Sequence, residues 1–156
     1  AGGITIEDNV LVAANAQLIS NNHDLYDHAV LTCKPVHLKR NCWIGAGATI
    51  LAGVRLGRGC IIGANSLVTK DVPPYAVVAG SPAKIIKKKF NNTQIINHEK
   101  TLYAKDERLT PKQLEELDQV YFKGMTTFGT DGISEDDRRI IENTKRKLRF
   151  VEPKTS

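Results

Sequence analysis

Two histidines, His23 and His28, stand in a polar stretch, Asn21-Asn22-His23-Asp24-Leu25-Tyr26-Asp27-His28, with two carboxylates and a phenol between them. An imidazole ordinarily titrates near pH 6.5, so a neutral histidine can accept the proton of an attacking hydroxyl or amine. The same H-x4-H spacing could instead give two nitrogen ligands to zinc, but a catalytic zinc wants three protein ligands, and no histidine precedes His23. A second concentration of chemistry is cationic: Lys70, then Lys84, Lys87, Lys88 and Lys89. The net charge is +5, and residues 1–90 hold all of the excess, with ten Lys and Arg against five Asp and Glu. Such an excess attracts anions, whether nucleic acid, a lipid surface or a phosphorylated cofactor. No aromatic side chains interleave the lysines as a base-stacking platform requires, so nucleic acid is not the expected partner, and no membrane partner is expected either.

Three cysteines, Cys33, Cys42 and Cys60, are too few for a disulfide framework and show no CxxC spacing, which predicts a reducing, cytoplasmic setting. No apolar run approaches eighteen residues and no signal-peptide pattern is present. The chain opens Ala-Gly-Gly rather than on Met, which predicts a processed or cut start.

What would position these groups is a repeat. An aliphatic residue recurs every six positions: Ile6, Val12, Leu18, then Leu38, Ile44, Ile50, Leu56, Ile62 and Val68. Neither a helix (3.6) nor a strand (2) has that period; a chain that bends after each short extended segment does. Compact residues stand two before most aliphatics, and Gly and Asn cluster after them (Asn9, Asn15, Asn41, Gly45, Gly47, Gly53, Gly57, Gly59, Gly63, Asn65), types that tolerate the positive φ of a tight bend. Three hexapeptides make one triangular coil, so Leu38 maps onto Leu56 and Ile44 onto Ile62. Nine units give about three coils, near the lower limit for a stacked repeat.

The chain thus divides into a mainly β solenoid over 1–90 and an α-helical extension over 91–156. Within the solenoid, residues 21–35 lack the aliphatic beat and form a loop insertion, and residues 73–90 form an exit arm. The adjacent Pro73 and Pro74 cannot continue a strand ladder, which predicts that the solenoid stops there. In the extension, Thr110-Pro111 with Gln113 is a helix start leading into Leu114, Leu117 and Tyr121. Ser134 with Asp137 begins a second helix whose apolar face is Ile140, Ile141, Leu148 and Phe150.

Three runs then show a likeness. Residues 43–50 (Trp-Ile-Gly-Ala-Gly-Ala-Thr-Ile), residues 62–73 (from Ile62-Gly63-Ala64-Asn65 to Asp71-Val72-Pro73) and Val78-Ala79-Gly80-Ser81-Pro82-Ala83-Lys84 resemble the hexapeptide-repeat acetyltransferases, nearest the galactoside, maltose and polysaccharide O-acetyltransferases. The resemblance spans 4–88 and does not reach the helical extension. It implies a left-handed parallel β-helix, a homotrimer with active sites between subunits, and acetyl-CoA as co-substrate with no metal. It implies His23 as general base, since the family's histidine sits on the loop leaving the solenoid. Small Ala46 and Ala64 would let pantetheine lie against the backbone, Trp43 would sit near the thiol, Pro82 would contact adenine, and Thr69, Lys70, Lys84 and Lys87 would hold the phosphate end together with Lys88 and Lys89. Asp24, Tyr26 and His28 are the candidates for contact with a sugar-type acceptor.

Plainer alternatives remain open for these residues. Trp43 serves equally well as a core or trimer contact. Cys42 and Cys60 fit inward hydrophobes better than a redox pair. Two rival functions suit the same fold: a gamma-type zinc carbonic anhydrase, which lacks its third histidine here, and a non-catalytic trimeric scaffold or fragment.

Overall fold

The computed structural model describes residues 2–127. Short strands wind in order around three faces. The first coil is β1 (Ile4–Ile6), β2 (Leu11–Val12) and β3 (Gln17–Leu18), followed by an excursion, β4 (Asn21–His23) and β5 (Leu31–Cys33). The second coil is β6 (Val36–Leu38), β7 (Trp43–Ile44) and β8 (Thr49–Ile50), and the third is β9 (Arg55–Leu56), β10 (Ile61–Ile62) and β11 (Leu67–Val68). Every third strand pairs in parallel, β1-β6-β9, β2-β7-β10 and β3-β8-β11, so the chain forms a three-sided parallel β-helix.

The register gives the size of the excursion. Leu38 pairs with Leu56, eighteen positions on, but Ile6 pairs with Leu38, thirty-two positions on, so fourteen residues leave the coil. They are not an irregular loop. β4 and β5 form an antiparallel hairpin pairing Asn21 with Cys33, Asn22 with Thr32 and His23 with Leu31. A hairpin has period two, which is why the six-residue beat vanishes there.

The aliphatic of each hexapeptide points inward: Leu38, Ile44, Ile50, Leu56, Ile62 and Val68 are all buried. So are the residues two before them, Val36, Cys42, Ala48, Val54, Cys60 and Ser66. Each buried Leu or Ile contributes roughly 1.5–3 kcal/mol, and the stack forms one continuous core. Ile6 and Val12, with a coil on one side only among the described residues, stay 50% and 46% exposed.

Bends fall three residues after seven of the nine aliphatics, at Asn9, Asn15, Asn41, Gly47, Gly53, Gly59 and Asn65, all with positive φ. Gly45 and Gly57 serve a different need from the one expected. Their φ is not positive, but an added Cβ would stand 2.6 Å from the Ala64 nitrogen and 2.5 Å from the Pro74 nitrogen, respectively. Coils approach too closely there for a side chain.

The prolines do not end the solenoid. Val72 bridges to Leu56, Pro73 and Pro74 occupy the corner, and β12 (Ala76–Gly80) adds a further parallel rung to β10, Ile62 opposite Val78. A corner needs no ladder hydrogen bond, so proline is tolerated there. β13 (Ala83–Lys88) then returns antiparallel to β12.

Two helices follow, α1 (Asn92–Leu102) and α2 (Pro111–Leu117), each with a capping box, Asn91 with Gln94 and Thr110 with Gln113. α2 widens into a π-helical turn over Asp118–Phe122, which turns Phe122 rather than Tyr121 inward. Ile95 and Leu114 pack with Tyr75 in a second core. The buried Glu99 fastens α1 to the solenoid, accepting from Tyr75 Oη at 3.3 Å and Leu109 N at 2.5 Å and pairing with Arg58 at 3.4 Å. The helix expected from Ser134 lies outside the described residues.

Candidate active site

His23 ends β4 and is exposed. Its Nδ1 lies 2.6 Å from the carbonyl oxygen of His28. A carbonyl can only accept, so Nδ1 carries the hydrogen and, in the neutral ring, the lone pair sits on Nε2. That tautomer presents a base away from the hairpin backbone.

The turn that delivers this carbonyl is closed by its own polar groups. The Asp24 amide donates to the Val30 carbonyl at 2.8 Å and the Val30 amide to the Asp27 carbonyl at 2.9 Å. Asp24 Oδ1 accepts from the amides of Tyr26 at 2.8 Å and Asp27 at 3.1 Å, and Asp27 Oδ1 from the Ala29 amide at 2.9 Å. The Tyr26 N–H, then that of Asp27, holds the Asp24 carboxyl below the usual aspartate range. Thus one oxygen of Asp24 is committed to the turn, Tyr26 is wholly exposed at the tip, and His28 meets His23 through its backbone. Sequence reasoning weighed the His28 side chain and missed its carbonyl. The available signal was the Asp-x-x-Asp turn composition, since Asp side chains favour bonding to nearby amides.

The other candidates lie on the solenoid. Trp43 faces outward from β7 in register with Leu11 below and Ile61 above, and is 49% exposed. Ala46 and Ala64 stack on the corner after β7 and β10, where the Asn65 amide donates to the Ala46 carbonyl at 2.8 Å. Thr69 and Lys70 are exposed after β11, and Pro82 lies in the exposed β12–β13 turn. Lys70 and Lys84 share a cleft of about 290 Å³ over Val68, Val72 and Val78. Lys87 is half-buried on β13. Lys88 departs from expectation: it is buried, paired with Asp118 and hydrogen-bonded to Asn92 at 2.5 Å, and so is turned away from any anion outside. Lys89 is partly buried over the Phe90 ring, and burial pushes its ammonium pKa down.

The hairpin leaves from the corner that follows β3, the same edge that carries Thr69 and Lys70 after β11. Trp43 belongs to the face across the coil from that corner, and Ala46 and Ala64 to the corner where that face meets the β3-β8-β11 face. One solenoid therefore displays the histidine and the alanine corner on different edges.

Cys42 and Cys60 stack in adjacent coils, Sγ to Sγ 3.5 Å, both buried and free. The hydrogen bond to Cys42, together with burial, raises the Cys60 thiol pKa. Among the described residues, no three His, Cys, Asp or Glu side chains converge as a metal site would need.

Comparison with known proteins bears on the repeat directly. The bacterial transferase hexapeptide (six repeats) family model matches residues 35–70. Residues 35–70, the second and third coils, match a hexapeptide-transferase repeat. The galactoside O-acetyltransferase of Escherichia coli is 37% identical over 107 residues, 66% of this chain and 50% of that protein. The chloramphenicol acetyltransferase of Morganella morganii is 57% identical over 53 residues, 34% of this chain and 25% of that one. Among solved structures, a hexapeptide-repeat acetyltransferase of Vibrio cholerae complexed with acetyl-CoA superposes with TM-score 0.53 at 37% identity, covering 55% of this chain and 49% of its own. These relatives are named acetyltransferases, and the chain spans between a quarter and a half of the length of the two curated relatives. No helix among the described residues is long and apolar enough to cross a membrane.

Proposed function

We propose that the chain is the catalytic solenoid of an acetyl-CoA-dependent acetyltransferase that O-acetylates a saccharide-type hydroxyl. The observation that carries this reading is the 2.6 Å contact between His23 Nδ1 and the His28 carbonyl, which leaves Nε2 as an outward base on a hexapeptide-transferase frame. Nε2 takes the proton of the acceptor hydroxyl as its oxygen attacks the thioester carbonyl. The imidazolium then returns that proton to the departing coenzyme A thiolate. A thiol of pKa about 8.5 leaves far more readily than an alkoxide.

Left-handed coiling, assembly as a homotrimer and a cytoplasmic setting belong to the same proposal. Support for assembly comes from the two edges: a histidine and an alanine corner stand on different edges of one solenoid, and two copies side by side would bring them to one thioester. The exposed column Leu11–Trp43 offers an apolar surface for that contact. Across it, Ala46, Ala64 and Trp43 would flank pantetheine, Pro82 the adenine, and Thr69, Lys70, Lys84 and Lys87 the phosphates, with Asp24, Tyr26 and His28 nearest the acceptor. Calorimetric titration with acetyl-CoA, followed by thiol release over a panel of saccharide, amino-sugar and aryl-alcohol acceptors, tests this. Acceptor-dependent release supports the reading. Binding without release on any acceptor points to a scaffold, and absence of binding refutes it.

A further inference from the structure

The feature that function leaves unabsorbed is the side chain of Asp24. It adjoins His23, yet Oδ1 is aimed at the backbone of its own turn, 2.8 Å from the Tyr26 amide and 3.1 Å from the Asp27 amide. Those two bonds fix residues 24–27. The Asp24 amide bond to the Val30 carbonyl and the Asp27 carbonyl bond from the Val30 amide then fix the return. His28 lies between those closures, and its carbonyl is the group that meets His23 Nδ1.

We infer that Asp24 is a positioning residue for the acetyl transfer: by accepting the Tyr26 and Asp27 amides it holds the His28 carbonyl under Nδ1 and so selects the His23 tautomer with a free Nε2. This rests on His23 being the base. Without the carbonyl the imidazole is free to carry its hydrogen on Nε2, where it cannot accept a proton. The requirement is for an acceptor oxygen rather than a negative charge. An amide oxygen at the same atom position can take both backbone N–H groups, so Asp24→Asn keeps the turn and Asp24→Ala loses it.

Nitrogen-15 spectra of histidine-labelled full chain read the tautomer directly, and steady-state kinetics read its consequence. In the unaltered protein and in Asp24→Asn, His23 should be protonated at Nδ1. Asp24→Ala should move the hydrogen toward Nε2 and lower kcat by about tenfold or more, inside the 10²–10⁴ that general-base catalysis supplies. Its acetyl-CoA affinity and thermal midpoint should hold. His28→Ala, which keeps the carbonyl, should keep the Nδ1 tautomer, and it serves as the check should Asp24→Ala fold poorly. An Asp24→Ala protein that retains the Nδ1 tautomer, or an Asp24→Asn protein whose His23 shifts its hydrogen toward Nε2 as in Asp24→Ala, overturns the inference. If no acceptor is acetylated by the unaltered protein, the function fails, while the spectra still decide whether Asp24 sets the tautomer.

Discussion

Gly45 and Ala64 approach across adjacent coils so closely that a methyl group built on Gly45 would stand 2.6 Å from the Ala64 nitrogen. The atoms it would meet are backbone, held by the rung bond from Gly45 N to the Ile62 carbonyl at 2.8 Å, and cannot swing aside. Gly45→Ala should therefore separate the coils at this corner and cost about 1–3 kcal/mol, the usual range for overpacking a close-packed interior. Urea denaturation measures it, and an unchanged midpoint would mean that the coils have room to spare.

His98 gives the helical attachment a pH dependence. Its Nδ1 lies 3.1 Å from Tyr75 Oη, and burial, then the nearby Lys89 charge, lowers its pKa although Glu99 opposes them. A histidine whose folded pKa is depressed stays neutral in the native state while the unfolded chain takes up a proton. Stability is then full above the ordinary histidine value of about 6.5 and is lost as pH falls from there toward the folded pKa. Denaturation midpoints at pH 7.5 and 5.5 should show the fall, and His98→Gln should flatten it. An equal slope in the variant would place the titrating group elsewhere.

Leu11 is 65% exposed beside Trp43 on the outer face of its sheet. A carboxylate there would have to be desolvated in any subunit contact along that face. For the proposed homotrimer, Leu11→Asp should shift the light-scattering mass toward that of the monomer while the far-ultraviolet spectrum is kept. A variant that remains fully trimeric would move the contact to another face.

The six-residue beat made the fold legible because each beat is one inward side chain: Ile44 and Ile62 recur at the interval that stacks them. The Thr110 cap was equally plain, since the signal is local. Four things were not. The hairpin replaced a period of six with one of two over only three residues per strand. Pro73 and Pro74 looked like a stop because a corner and a terminus use the same residues. Lys88 read as an anion contact, because its partner Asp118 lies thirty positions away in a turn the pattern did not foresee. The fourth, the hold on His23, comes from a backbone carbonyl, which every residue possesses and no sequence advertises.

Acetyl transfer by the proposed route depends on His23 Nε2, and the most direct test compares the unaltered chain with His23→Ala for acceptor-dependent thiol release from acetyl-CoA, with cofactor affinity measured on both. The predicted result is a loss of kcat of roughly 10²–10⁴-fold with acetyl-CoA still bound. Release that survives the substitution within a few-fold would contradict it.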